Sequence, residues 1–200
     1  RLVMKQFAPV DIPVGLHWAP FDNTILPPIL DLPDIDPETT KDHVLVYLPF
    51  EDQNATTRWL QGFSDTSFIQ YSPAVSDEQQ GNVLRQKANI DGFKRDLATA
   101  KGVICNTGFE LISECLQWGK PVLTRQLAKQ MEQLYNAAAL EQLGYATTMQ
   151  ALETQKARAW LDDMPSAPKV HFKNVAATLA RWVARGAKEP VEQLSKELWA

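Results

Sequence analysis

The sequence predicts an α/β domain in which helices lie on both sides of a mostly parallel sheet, in three layers. Short apolar runs at residues 44–48 and 103–105 are typical of strands that are buried on both faces. Residues 109–118 carry apolar side chains at helical spacing, residues 131–143 form a second predicted helix, and a glycine follows each. Strand, helix and strand in this order make a βαβ unit, whose crossover is nearly always right-handed.

The segment before the first long strand, residues 1–42, is rich in proline but also apolar. Proline removes a backbone donor and disfavours helix, so we expect an extended, ordered lead-in. The segment is too apolar for a free linker, and we expect it to pack on a neighbouring half or on the domain over residues 43–200. Trp18 and Phe21 join the core or reach an inter-domain cleft, and core packing is the more frequent outcome.

The later elements continue the alternation of strands and helices. In chain order, we expect a helix over residues 54–62, strands over 67–71 and 83–85, loops over 77–82 and 86–90, a helix from Asp91 as N-cap to residue 100, strands over 121–123 and 145–149, and helices over 152–162, over 174–185 and after Pro190. Lys94 belongs to a locally basic stretch, which is either a solvated face or a surface that steers an anionic ligand.

The loop after the first long strand, residues 49–52, contains no glycine. A dinucleotide site of the NAD or FAD type needs close backbone approach at this first turn, so the sequence argues against such a site. Glu51 and Asp52 would repel a diphosphate if they pointed inward. We therefore expect both to face solvent or an acceptor substrate.

Composition narrows the classes of function. The 200 residues carry a net charge of −4, which implies no broad basic face for nucleic acid. No apolar run approaches the roughly 20 residues of a membrane span, and no signal peptide is recognisable. Cys105 and Cys115 are expected to be reduced thiols of a cytoplasmic protein, and the three scattered histidines suggest no metal site. Because the chain opens with Arg1 in apparent mid-element sequence, we expect it to be a fragment.

The turn at residues 106–110 has two interpretations. Thr107 and Glu110 have the spacing of a capping box, in which case the turn is only a well-capped helix start. Alternatively, Gly108 at the mouth of the helix lets a phosphate approach the first backbone N–H groups. One glycine is a weak signal, and on the turn alone the structural interpretation is favoured.

The wider combination is more specific. Asn106-Thr107-Gly108-Phe109 and Glu114 are followed by Gly-Lys-Pro and then by Glu132-Gln133-x-x-Asn136-Ala137. In this combination the chain resembles the C-terminal, donor-binding half of GT-B glycosyltransferases, related to UDP-glucuronosyl and UDP-GlcNAc transferases. It is most similar to an uncharacterised bacterial branch. The resemblance is strong over residues 103–144 and loose elsewhere, and it implies a Rossmann-like domain.

The resemblance implies a set of substrate-binding residues. The turn residues Asn106, Thr107, Gly108 and Phe109 would receive the diphosphate, with backbone N–H groups of the last two as donors. Glu114 would accept hydrogen bonds from the ribose diol, although spacing alone favours an ordinary surface glutamate or one paired to a lysine. Glu110 departs from the pattern, because an anion beside a diphosphate is unfavourable.

The start of the predicted helix over residues 131–143, after the strand predicted over residues 121–123, supplies the remaining candidates. By resemblance, Glu132 and Gln133 would hydrogen-bond sugar hydroxyls, Gln130 is a second amide nearby, and Asn136 would cap or brace the loop. A start rich in Glu and Gln is also common in helices without such a role. Lys129 would neutralise phosphate or simply lie exposed.

The resemblance implies a function for the chain. We expect a domain that binds a nucleotide-sugar, mainly a UDP-sugar, in an enzyme that transfers a hexose to an unknown acceptor without a cofactor or metal. Its other expected partner is its own N-terminal half, without which it would be inactive, and contact of the complete protein with a membrane surface is left open. A UDP-sugar epimerase and a non-catalytic binding module on the same fold are the alternatives.

Overall fold

The computed structural model describes residues 10–21, 24–35, 40–168 and 170–200. Parts of the predicted lead-in, residues 1–9, 22–23 and 36–39, lie outside the described residues. The chain divides into two compact units: Leu32–His171 forms one, and Arg1–Asp31 with Phe172–Ala200 forms the other. The domain limits predicted at residues 42 and 43 stay a prediction.

The described elements follow the predicted alternation closely. In chain order they are β1 (Gly15–Leu16), β2 (Ile25–Leu26), β3 (Val44–Tyr47), α1 (Gln53–Gln61), β4 (Phe68–Ser72), β5 (Glu78–Gln80), β6 (Val83–Lys87), α2 (Ile90–Thr99), β7 (Gly102–Asn106), α3 (Phe109–Gln117), β8 (Val122–Arg125), α4 (Met131–Leu143), β9 (Thr147–Met149), α5 (Thr154–Asp162), α6 (Val175–Ala184) and α7 (Val191–Trp199).

The larger unit is built on a sheet with the strand order β5-β6-β4-β3-β7-β8-β9. Every neighbouring pair is parallel except β5 with β6. From β3 the chain adds β4 and β6 towards one edge, and from β7 it adds β8 and β9 towards the other. The order therefore reverses between β3 and β7. The α/β fold with a mostly parallel sheet and flanking helices is confirmed.

The core of the larger unit explains why the sequences of its central strands are continuous apolar runs. Val44, Val46, Ile104 and Leu123 are fully buried, and they join one cluster with Trp160. Strands covered on both faces need apolar residues at successive positions rather than alternate ones. Burial also raises the pKa of Cys105 to about 12, so this thiol stays protonated, as expected of a buried cysteine.

Two local predictions in the larger unit are wrong. Residues 78–80 were expected in a loop but form β5, a polar strand that pairs antiparallel to the edge strand β6. Such a strand has no apolar pattern to reveal it. Helix α2 begins at Ile90, because the Asn89 side chain accepts a hydrogen bond from the N–H of Gly92 at 2.7 Å. Asp91 therefore lies in the first turn and is not the N-cap.

The smaller unit joins the two ends of the chain. Strands β1 and β2 pair in parallel, and Leu26 packs in a cluster with side chains of α6 and α7. The hydroxyl of Ser195 and the indole N–H of Trp199 both donate to the carbonyl of Ile25, at 2.8 Å each. Trp18 is buried, as expected, whereas Phe21 is 45% exposed.

Candidate functional site

The reversal of strand order defines a crevice at the carboxyl ends of β3 and β7. In open α/β sheets, ligands bind outside the carboxyl ends of the strands at such a switch point. Two loops flank it here, residues 48–52 after β3 and residues 107–108 after β7. The candidate residues of these loops are therefore placed where the fold itself favours a ligand.

The turn after β7 is not a capping box. Gly108 is the N-cap of α3, and no side chain caps the helix. Thr107 is fully buried, and its Oγ1 accepts a hydrogen bond from Thr124 Oγ1 at 2.9 Å, so it is not available to the helix end. A Cβ built on Gly108 meets no atom within 4 Å. The mouth of α3 is thus open in front of Gly108, as the alternative interpretation required.

Asn106 ends β7 and is 6% exposed. Its side-chain amide donates to the carbonyl of Arg125 at 3.2 Å, which ties β7 to the end of β8. The N–H of Gly108 donates to the Asn106 carbonyl at 2.8 Å, so this N–H already has a partner. The predicted roles of Asn106, Thr107, Gly108 and Phe109 in substrate binding stay predictions, and the burial of Thr107 favours a bracing role for that side chain.

A cavity of about 380 Å³ lies beside this turn. Its lining comes from the end of β3, from the loop before α2, and from the facing sides of α2 and α3. The lining residues are Tyr47, Ala88, Asn89, Ile90, Phe93, Lys94, Glu110, Leu111 and Glu114. Ligand cavities in proteins span about 300–1,000 Å³, so this one accommodates a small molecule or part of a larger one.

Glu114 lines the cavity and forms an ion pair with Lys94 across the gap between α3 and α2. The two side chains are 13% and 20% exposed. The sequence left open a ribose-binding carboxylate or a glutamate paired to a lysine. The structure has the lysine partner, and it also brings the carboxylate to the wall of a cavity. Ribose binding by Glu114 stays a prediction.

Aromatic side chains support another part of the cavity wall. The ring of Phe93 contacts Tyr47 edge-on at 5.3 Å and Tyr71 at 5.2 Å between ring centroids. The Tyr71 hydroxyl donates to the Asp96 carboxylate at 2.7 Å, and burial raises the pKa of that hydroxyl. Tyr47 and Phe93 were not predicted as site residues, because in the sequence they read as ordinary apolar positions of a strand and a helix.

The candidates after β8 form a separate network. Gln133 accepts a hydrogen bond from the N–H of Leu127 at 3.1 Å and donates to Gln130 at 3.0 Å. Asn136 donates to the carbonyl of Thr107 at 3.1 Å, which ties α4 to the turn after β7, and its expected role in capping or bracing the loop stays a prediction. Glu132 is exposed. None of these described side chains lines the cavity, and their contact with a sugar stays a prediction.

One further ion pair spans the crevice. Glu51, in the loop after β3, pairs with Arg125 at the end of β8, and the two side chains are 15% and 20% exposed. Of the two orientations expected for Glu51, the one towards solvent is wrong because a guanidinium covers the carboxylate, and the one towards an acceptor stays a prediction. Asp52 accepts a hydrogen bond from the N–H of Ala55 at 2.6 Å and caps α1. Nothing in the sequence marked Arg125, since its partner lies far away in the chain.

In the part of the chain that the structure describes, no group of three or more His, Cys, Asp or Glu side chains is arranged to hold a metal ion. Within the described ranges, no helix combines the length and apolar character that crossing a bilayer requires.

The fold and the crevice define an α/β domain of the kind that binds ligands at a strand-order reversal. The sequence matches the family model described as glycosyl transferase family 1 over residues 19–165. This match covers most of the chain, and the chain belongs to that family. No curated protein matches it.

Solved structures agree with this assignment at the level of the fold. The crystal structure of SsfS6, a glycosyltransferase of Streptomyces sp. SF2575, is 13% identical, with 94% of this chain and 51% of that chain covered and a TM-score of 0.53. The glycotransferase of kitacinnamycin is 16% identical, with 86% and 48% covered and a TM-score of 0.51. SsfS6 complexed with thymidine diphosphate is 14% identical, with 94% and 52% covered and a TM-score of 0.48. The chain spans about half the length of these structures.

Proposed function

We propose that this chain is the nucleotide-sugar-binding domain of a glycosyltransferase, that its donor is a UDP-sugar, and that the complete enzyme transfers a hexose to an acceptor. Membership of glycosyl transferase family 1 supports the class of reaction. The proposal assigns no metal or organic cofactor and no catalytic residue to this chain. The acceptor and the catalytic base belong to a further domain, so the chain alone is expected to be inactive.

The single observation that carries the proposal is the cavity with the Glu114 carboxylate in its wall, next to the open mouth of α3. A carboxylate accepts hydrogen bonds from two neighbouring hydroxyls, which is the arrangement of a ribose diol. Ile90 is 77% exposed at the rim and offers apolar surface to a nucleobase. A nucleoside in this cavity would direct its 5′ oxygen towards the turn at residues 106–108.

Charge decides which part of the donor enters the cavity. Its lining carries two carboxylates, Glu110 and Glu114, against the ammonium of Lys94. A diphosphate would be repelled there, whereas a neutral ribose and base would not. The diphosphate is therefore assigned to the mouth of α3, where no side chain caps the helix and the helix dipole favours an anion.

Titration calorimetry of the chain with uridine, UDP and a UDP-sugar tests this assignment. Glu114→Gln removes the negative charge of the carboxylate that would accept hydrogen bonds from the ribose. We expect this substitution to weaken the binding of uridine and of UDP alike, by about tenfold. The same substitution should cause a smaller loss of affinity for 2′-deoxy-UDP, because this ligand lacks one of the two ribose hydroxyls. Glu132→Gln is the matched control: it should leave uridine and UDP unchanged and weaken only the UDP-sugar.

Three outcomes would overturn parts of the proposal. A folded chain that binds no nucleotide would leave only a non-catalytic module on this fold. Equal losses for UDP and 2′-deoxy-UDP in Glu114→Gln would remove the ribose role. Conversion of UDP-GlcNAc to an epimer by the complete protein, without an acceptor, would replace the transferase by an epimerase.

A further inference from the structure

The crevice at the switch point contains a cation, the guanidinium of Arg125. Arg125 is the register partner of Asn106, so the ends of β8 and β7 lie side by side. The carbonyl of Arg125 accepts from the N–H of Thr107 at 3.2 Å, directly before α3. The guanidinium extends from β8 across the end of β7 to Glu51, which follows β3. It therefore spans the strand-order reversal.

Two polar atoms in this crevice have no hydrogen-bond partner among the described residues. They are Nε of Arg125, a donor, and Oδ1 of Asn106, an acceptor, and both are shielded from solvent. Asn106 as a residue is 94% buried, since 6% of it is exposed. Buried polar atoms without partners are rare in folded proteins and each calls for an explanation, such as a ligand or an ordered water. An arginine with an unused N–H is poised to donate to another anion.

We infer that Arg125 binds the diphosphate of the nucleotide-sugar, and that Glu51 is the counter-ion which the diphosphate displaces. The inference rests on the proposed function, because it names the residue that would receive the donor's phosphates. Guanidinium groups bind phosphate oxygens with two parallel N–H donors, and a phosphate can engage Nε as well. When the donor is absent, the Glu51 carboxylate pairs with the Arg125 guanidinium, so that the positive charge of Arg125 is not left uncompensated in the crevice.

The exchange has a consequence for the loop after β3. Residue Glu51 lies directly before Asp52, the N-cap of α1. When a diphosphate replaces the Glu51 carboxylate on Arg125, Glu51 is released at the carboxyl edge of the sheet. Donor binding would then change the contacts of residues 49–51.

The test compares ligands that differ only in their phosphates. Arg125→Gln should weaken UDP by roughly 10- to 100-fold, the range for a lost hydrogen bond to a charged group, while the affinity for uridine stays unchanged. Glu51→Gln should have the opposite sign, because it removes the competing carboxylate: UDP and inorganic pyrophosphate bind more tightly and uridine does not. Lys196→Met is the control for a general loss of positive charge, since Lys196 is an exposed cation of α7, in the smaller unit.

Each outcome decides between this inference and the proposed function. Equal losses for UDP and uridine in Arg125→Gln, or a loss of UDP affinity no larger than in Lys196→Met, would overturn the role of Arg125 and leave nucleoside binding intact. A wild-type chain that binds neither ligand would overturn both proposals. If Arg125→Gln does not fold, Glu51→Gln still decides, and weaker UDP binding in that variant would refute the exchange.

Discussion

The ion pair between Lys94 and Glu114 allows the sharpest test of how this site is built. Lys94→Met keeps the aliphatic stem of the side chain but leaves the Glu114 carboxylate, 13% exposed, without that cation. At about 4 Å and an effective dielectric constant of about 20, two unit charges attract by about 4 kcal/mol. Desolvation of both ions offsets part of this attraction.

We expect Lys94→Met to lower the free energy of unfolding by about 2 kcal/mol, between the values for exposed and for fully buried pairs. For a chain of 200 residues this corresponds to a fall in Tm of roughly 4–8 °C. Urea titration followed by tryptophan fluorescence measures the change. The double variant with Glu114→Gln should recover part of the loss, with a coupling energy of about 1–2 kcal/mol.

Lys101 provides the matched control. It pairs with Asp42, but the two side chains are 31% and 85% exposed, so solvent screens the attraction. Lys101→Met should therefore change the free energy of unfolding by about 0.5 kcal/mol or less. Equal effects of Lys94→Met and Lys101→Met, or a coupling energy near zero between Lys94 and Glu114, would refute the claim that burial strengthens the pair at the cavity.

Three further predictions concern the pH response, the helix mouth and the core. Burial lowers the pKa of His43 below 6.5 in the folded chain. The neutral imidazole therefore contributes its full stabilisation above pH 6.5, and this stabilisation is lost as the pH falls through the folded-state pKa. In urea titrations between pH 7 and 5, the free energy of unfolding should decline less in His43→Asn than in the wild type. Gly108 has a φ of −78° and open space around a new methyl group, so Gly108→Ala should change the free energy of unfolding by less than about 0.5 kcal/mol. In calorimetry the same substitution should weaken the binding of UDP. Gly144 has a φ of 67°, so Gly144→Ala should lower the free energy of unfolding by about 1 kcal/mol and leave UDP binding unchanged. Leu123→Ala, at a fully buried position of β8, should lower the free energy of unfolding by about 2–5 kcal/mol in the same urea assay.

The fold was largely predictable because its signals are local. Residues 44–47 form a strand buried on both faces, and a continuous apolar run is sufficient to indicate this. Helix α4 ends where predicted, since Gly144 adopts the left-handed conformation that glycine tolerates best. Two predictions of elements failed. Strand β5 was missed because its residues are polar, and the start of α2 was misplaced because Asn89 and Asp91 are both suitable N-cap residues.

The candidate site was predictable only in part. The sequence identified the turn at residues 106–108 and Glu114, and the structure brings Glu114 to a cavity beside that turn. The sequence could not predict that the Thr107 hydroxyl would form a hydrogen bond with Thr124 rather than cap α3, because that choice depends on a neighbouring strand. Thr107 and Glu110 satisfy the spacing of a capping box, yet spacing does not decide which partner a buried hydroxyl takes.

The amino-acid sequence by itself determined the order of strands and helices and the position of the open glycine before α3, because backbone preferences and apolar periodicity act over a few residues. Only the tertiary structure decided which charges meet. Lys94 and Glu114 come from different helices, and Glu51 and Arg125 are 74 positions apart in the chain. Ion pairs of this kind depend on how parallel strands are ordered in the sheet, and no local pattern in the chain encodes that order.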